Sequence, residues 1–165
     1  MKHTHCCASP IGELLLESDG EYLTGLWFKD GKYCPNISDE QADTPSEAVF
    51  KLAEKWLEIY FGGAEPDFTP PLRLDGTDFR KEVWEILKTI PYGETVTYGE
   101  IAERIAKRRG LSRMSAQAVG GAVGRNPVSI IVPCHRVIAA DGTLAGYAGG
   151  IDKKVFLLRL EKAIK

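Results

Sequence analysis

Apolar and polar positions alternate in blocks that predict short strands first and helices afterwards. Residues 12–28, GELLLESDGEYLTGLWF, hold two apolar runs parted at Ser18-Asp19-Gly20. Asp-Gly between such runs predicts a β-hairpin. Residues 29–43 are polar and aperiodic, a predicted loop. Over 44–63 the apolar positions recur with helical spacing at Val49, Leu52, Ala53, Trp56 and Tyr60. Thr44, Pro45 and Glu47 supply a cap, a first-turn proline and a capping box, and Gly62-Gly63 supplies the stop.

A proline- and acid-rich stretch, AEPDFTPPLRLDG (64–76), predicts a linker between two domains, 1–75 and 76–165. Beyond it, TDFRKEVWEILKTIPYG predicts a helix burying Phe79, Val83, Ile86, Leu87 and Ile90, stopped by Pro91 and Gly93. Thr97 and Glu100 form a capping box for a third helix. A fourth, rich in small residues, is predicted from about Arg113 to Gly124 with Ser112 as its cap. Ile130, Ile131 and Val132 predict a buried strand ended by Pro133. Asp141-Gly142 predicts another hairpin, and a last helix over 152–163 takes Asp152 as its cap. The pattern is that of an α+β chain: an N-terminal α/β domain with a sheet of three or more strands and one helix, then a mostly helical domain.

Composition adds limits. At 165 residues and 44 % hydrophobic content a core forms without disulfide staples. No apolar run reaches the roughly 18 residues of a membrane span, and no leader pattern opens the chain. A cytoplasmic protein with no membrane partner is expected. Four cysteines stand at 6, 7, 34 and 134. The adjacent pair does not resemble a disulfide framework. His3, His5, Cys6, Cys7 and Cys34 are metal-ligand residue types, but their spacing matches no standard zinc site, so no metal is expected.

Charge is unevenly divided. Residues 1–78 carry six Lys/Arg and fifteen Asp/Glu, a balance of −9; residues 79–165 carry fifteen and eight, a balance of +7. The basic half suits a polyanion. Residues 97–124 run helix, short basic connection, helix, the order of a helix-turn-helix. Lys107, Arg108, Arg109 and Arg113 stand where phosphates would be met. The second helix has almost no long polar side chain beyond Gln117, which suits close backbone approach and shape-based contacts in a minor groove.

Candidate chemistry centres on IVPCHRVI (131–138). A thiolate is the nucleophilic form of cysteine, and an ordinary thiol is only a few per cent ionised at neutral pH. Lowering its pKa by ~1.5 units requires roughly 2 kcal/mol of differential stabilisation. His135 is the nearest base, and it needs an acceptor on its other nitrogen. The residues alone leave eight acids of this half as candidates. They also leave three readings: a transferase, a regulator with an inert buried cysteine, and a cysteine hydrolase.

PCHRV (133–137), AVGGAVGRNP (118–127), GYAGG (146–150), FRKEVWEILKTIPYGETVTYGEIA (79–102) and SPIGELLL (9–16) together resemble the O6-alkylguanine-DNA alkyltransferases. That resemblance implies a ribonuclease H-like N-terminal domain and a helix-turn-helix that binds double-stranded DNA in the minor groove. It implies a monomer without a cofactor that flips out alkylated guanine. One alkyl group then passes irreversibly from O6 of guanine, or O4 of thymine, to the protein. Carried over, Cys134 is the acceptor, His135 activates it through a water, Glu161 orients the imidazole, and Asn126 is a hinge. Tyr98 donates to the base, the carbonyls of Cys134 and Val137 accept its amine, and the loop Tyr147-Ala148-Gly149 closes over O6. Arg113, Ser115, Gln117, Ala118, Gly121 and Arg125 would meet DNA. Gln117 stands where the family commonly has an intercalating arginine, and Ala148 where a serine is frequent. Some relatives replace the cysteine by tryptophan and only bind lesions; Cys134 excludes that class.

Overall fold

The computed structural model describes residues 2–36 and 48–165. The cap expected from Thr44, Pro45 and Glu47 lies outside the described residues. The chain divides into two compact units: 1–75 with 127–131, and 76–126 with 132–165. The short excursion 127–131 therefore belongs with the first unit.

That unit is built on three antiparallel strands in the order β1 (His3–Ser9), β2 (Gly12–Ser18) and β3 (Leu23–Phe28). The β2–β3 hairpin is the one that Asp-Gly predicts. Asp19 Oδ1 accepts the N–H groups of Glu21 and Tyr22, and Gly20 takes φ of 106°, a conformation open to glycine at no steric cost. Two single-residue bridges pair with β3, from Leu72 to Leu23 and from Val128 to Leu26. They satisfy backbone groups that an exposed strand edge would leave unpaired.

Helix α1 (Ala48–Phe61) packs on all three strands through Val49, Phe50, Ala53, Trp56, Leu57 and Tyr60. Leu52, predicted for this stripe, is exposed. Val49, Ala53, Trp56 and Tyr60 define the centre of the buried arc; Leu52 falls outside it, while Phe50 and Leu57 fall on the covered side.

The second unit holds α2 (Asp78–Leu87), β4 (Val96–Thr97), α3 (Tyr98–Arg109), α4 (Ala116–Gly124), a 3₁₀ turn (Cys134–Arg136), β5 (Val137–Ile138) and α5 (Ile151–Leu160). α2 buries Val83, Trp84, Ile86 and Leu87, and Trp84 Nε1 donates to Ala122 O at 2.8 Å, tying α2 to α4. Phe79, predicted for the core, is half-buried under the Arg109 guanidinium, 5.7 Å from the ring centroid. α3 carries the predicted capping box at Thr97 and Glu100 and ends at Gly110, φ 67°. α4 starts later than predicted. Its cap is Ser115, whose hydroxyl accepts from Ala118 N–H, not Ser112.

Three further expectations are corrected. Residues 130–132 form no strand. Ile131 N–H bonds back to Ser129 O, and Cys134 N–H to Val132 O, so two successive three-residue turns replace it. Ile130 takes φ of 69° in the first, and Pro133 takes φ −82°, ψ 64° in the second, the inverse γ-turn conformation. After β5 the Asp141-Gly142 turn forms, with Gly142 N–H on Ala139 O, but no returning strand follows. β5 instead pairs parallel with β4. α5 begins at Ile151 after Gly150, which provides no side-chain cap; Asp152 lies in the first turn.

Candidate active site

Pro133 is the central residue of the turn that Cys134 closes, and the chain then tightens into the 3₁₀ turn, with Arg136 N–H on Pro133 O and Val137 N–H on Cys134 O. A strand would have turned Cys134 and His135 to opposite faces. Here both side chains are buried.

Glu161, the residue after α5, meets His135: Nε2–H donates to Oε2 at 2.6 Å, and neither side chain is exposed. Twenty-six residues separate the partners. Arg136 Nε donates to Glu161 Oε1 at 2.8 Å and its Nη2 to Oε2 at 3.1 Å. Gly93 N–H adds a further bond to Oε1 at 3.1 Å.

Burial pushes the Cys134 thiol above its ordinary range, outweighing hydrogen bonds from Asn126 and Tyr147 and the nearby Lys154 charge. Burial likewise pushes His135 below the usual histidine value, against the pull of Glu161 and with the push of Arg136 and Lys154. Burial thus disfavours the charged form of both side chains. Lys154, moved down to about 8 by burial, donates to Val137 O at 2.7 Å and Ala145 O at 3.3 Å.

Asn126 is buried, and its Nδ2 donates to Val132 O at 2.8 Å, bracing the two ends of the excursion 127–131. Tyr98 opens α3. Its ring packs over Gly120, where a Cβ would come within 3.7 Å of it. Burial, and after it the neighbouring Cys134, hold its hydroxyl above the usual tyrosine range. Val137 O already accepts from Lys154 and Cys134 O from Val137 N–H; each carbonyl retains a second lone pair. Tyr147, Ala148 and Gly149 form a half-buried turn closed by Gly150 N–H on Tyr147 O.

Arg113, Ser115, Gln117, Ala118, Gly121 and Arg125 are all exposed, on α4 or beside it, opposite the buried Val119, Ala122 and Val123. Lys107 and Arg108 are exposed as well. Arg109 is committed elsewhere: its Nη2 lies 2.6 Å from Glu82 Oε2. Sequence reasoning missed Arg136 and Lys154. The signal was a charged residue within an apolar segment, HRVI, and a lysine pair in which both members prove buried.

Among the described residues no group of three or more His, Cys, Asp or Glu could hold a metal ion, and no helix is long and apolar enough to cross a membrane.

Two family models divide the chain. "6-O-methylguanine DNA methyltransferase, ribonuclease-like domain" matches residues 2–74, and the DNA binding domain of the same name matches 78–163. A methylated-DNA–protein-cysteine methyltransferase of Methanosarcina acetivorans is 48 % identical over 93 % of this chain and 94 % of its own. The crystal structure of the Mycobacterium tuberculosis O6-methylguanine methyltransferase superposes with a TM-score of 0.85 at 47 % identity, covering 99 % of this chain and 94 % of that one. A structure of the M. tuberculosis protein in complex with DNA gives 0.82 at 46 % identity, over 98 % of this chain and 93 % of that one. The mixed α+β fold, the site around PCHRV and these likenesses agree: the chain belongs to the methylated-DNA–protein-cysteine methyltransferase family.

Proposed function

We propose that this protein repairs alkylated DNA directly, with Cys134 as the acceptor of one alkyl group from O6 of guanine. A single observation carries the assignment. Cys134 is the only cysteine in the half matched as the DNA binding domain, and its neighbour His135 is bound to a buried carboxylate. The other three cysteines fall in the ribonuclease-like half.

The reaction balances without a cofactor. A carbon–sulfur bond forms at Cys134 as the carbon–O6 bond breaks, and the bond's electron pair leaves with the base. The thiol proton departs toward His135 and ends on the guanine ring. Burial disfavours a standing thiolate, so the thiol must lose its proton in the course of the transfer. Tyr98, kept protonated, donates to the base as it becomes anionic, and stabilising developing charge lowers the barrier.

The exposed small residues of α4 suit a minor-groove approach by a monomer, with Lys107, Arg108, Arg113 and Arg125 facing phosphate. The target base must leave the stack to reach a buried sulfur, at a cost of a few kcal/mol that is least for a damaged pair. Val137 and the turn 147–149 supply the walls that receive it. A cytoplasmic location accords with a substrate that is chromosomal DNA. The Cys134→Ser variant tests the assignment: it should bind O6-methylguanine duplex and leave the lesion intact. Lesion removal by that variant would reject Cys134 as acceptor.

A further inference from the structure

Glu161 stands at the C-cap of α5, a helix end that disfavours negative charge, yet its carboxylate is fully buried. Four donors converge on it: His135 and Arg136 Nη2 on Oε2, Arg136 Nε and Gly93 N–H on Oε1. Arg136 is fixed from two other sides. Its Nη1 donates to Ile90 O at 2.7 Å, and its guanidinium lies 5.7 Å from the Tyr92 ring centroid. A histidine facing a lone buried carboxylate gains a proton readily, because the opposite charge favours the imidazolium. Here the carboxylate is already matched by a guanidinium that does not deprotonate. A protonated His135 would leave the buried cluster with an unmatched positive charge, which is costly.

We propose that Arg136 is a positioning residue of the transfer reaction: by taking both oxygens of Glu161 it keeps His135 a neutral imidazole, with Nε2–H on the carboxylate, so that the ring can take up the Cys134 proton. The proposal rests on the reading of Cys134 as acceptor. Arg136 itself exchanges no proton. When His135 takes the thiol proton, Arg136 makes the imidazolium short-lived and drives that proton on to the departing guanine. The charged and titratable groups around His135 are Cys134 and Arg136 on its own turn, Lys154 from α5 and Glu161 just beyond that helix. Asn126, and Tyr147 from the following loop, act on Cys134, and Cys134 in turn acts on Tyr98 of α3. Lys154 disfavours the imidazolium as Arg136 does, whereas Glu161 favours it.

Histidine-labelled protein tests this by NMR titration, with the His135 signal assigned by its loss in His135→Gln. Wild-type His135 should stay neutral to below pH 6.5. In Arg136→Gln its midpoint should rise by about one pH unit. The acid limb of alkyl transfer from free O6-benzylguanine should rise with it, so that the loss in rate is about tenfold greater at pH 6 than at pH 8. Arg136→Lys, which keeps the charge, should restore the wild-type midpoint. An equal loss at every pH with an unmoved His135 midpoint would overturn the proposal, leaving Arg136 a purely structural part. If Arg136→Gln fails to fold, the wild-type titration decides alone: an imidazolium at pH 7.5 refutes it. Mass mapping of the alkyl group to a residue other than Cys134 would instead refute the acceptor reading.

Discussion

Cys134 is buried, and its neighbour His135 is buried with it. Its thiol is raised in the folded protein, so folding favours the protonated form. A group raised above its unfolded value contributes stability that is complete below that value and is lost as pH climbs through the folded one. Thermal melts should therefore show stability falling above about pH 9, the ordinary thiol value. Cys134→Ala should flatten that decline; an unchanged alkaline limb would mean the thiol is not held neutral by its surroundings. Gln117 offers a second test. It is exposed on α4, where a neutral amide can hydrogen-bond an orphaned base but brings no charge. Gln117→Arg should speed repair in duplex DNA more than transfer from free O6-benzylguanine. Equal gains on both substrates would show that the side chain does not act on base extrusion.

Helix α4 depends on which serine caps it. Ser115→Ala should cost about 1 kcal/mol in a denaturant melt, whereas Ser112→Ala should change little. The reverse order would contradict the observed start of the helix. Local chemistry was legible where the deciding contacts lie three or four residues apart: the box at Thr97 and Glu100 and the turn at Asp19-Gly20 were both readable. It failed where distant contacts decide. Two serines three residues apart are equivalent as caps until tertiary packing selects one. Ile130, Ile131 and Val132 have strand propensity, but Val128 is drawn into a bridge with Leu26 and the following residues turn back on themselves. The pairing of His135 with Glu161 was visible through family resemblance alone, since eight acids competed for that place. Arg136 and Lys154 left no periodic trace, because each is buried by its hydrogen bonds rather than by its hydrophobicity.

The uneven charge of the two halves now has a stated location on the second one. Lys107, Arg108, Arg113 and Arg125 are exposed on α3, on the connection to α4 or just beyond α4, while Arg109 is held by Glu82. Replacing Lys107, Arg108 and Arg113 by Gln should shallow the salt dependence of duplex binding by about 0.9 per lost phosphate contact. Arg109→Gln should leave that slope unchanged and lower stability instead. A slope insensitive to the triple variant would remove the basic connection from the DNA-binding surface. Repair by this protein comes down to one covalent event, and intact mass spectrometry reads it directly. After incubation with excess O6-methylguanine duplex, the protein should gain one methyl group, mapped to Cys134, and then stop. No gain by folded protein, a methyl on another residue, or continued turnover beyond one equivalent would contradict it.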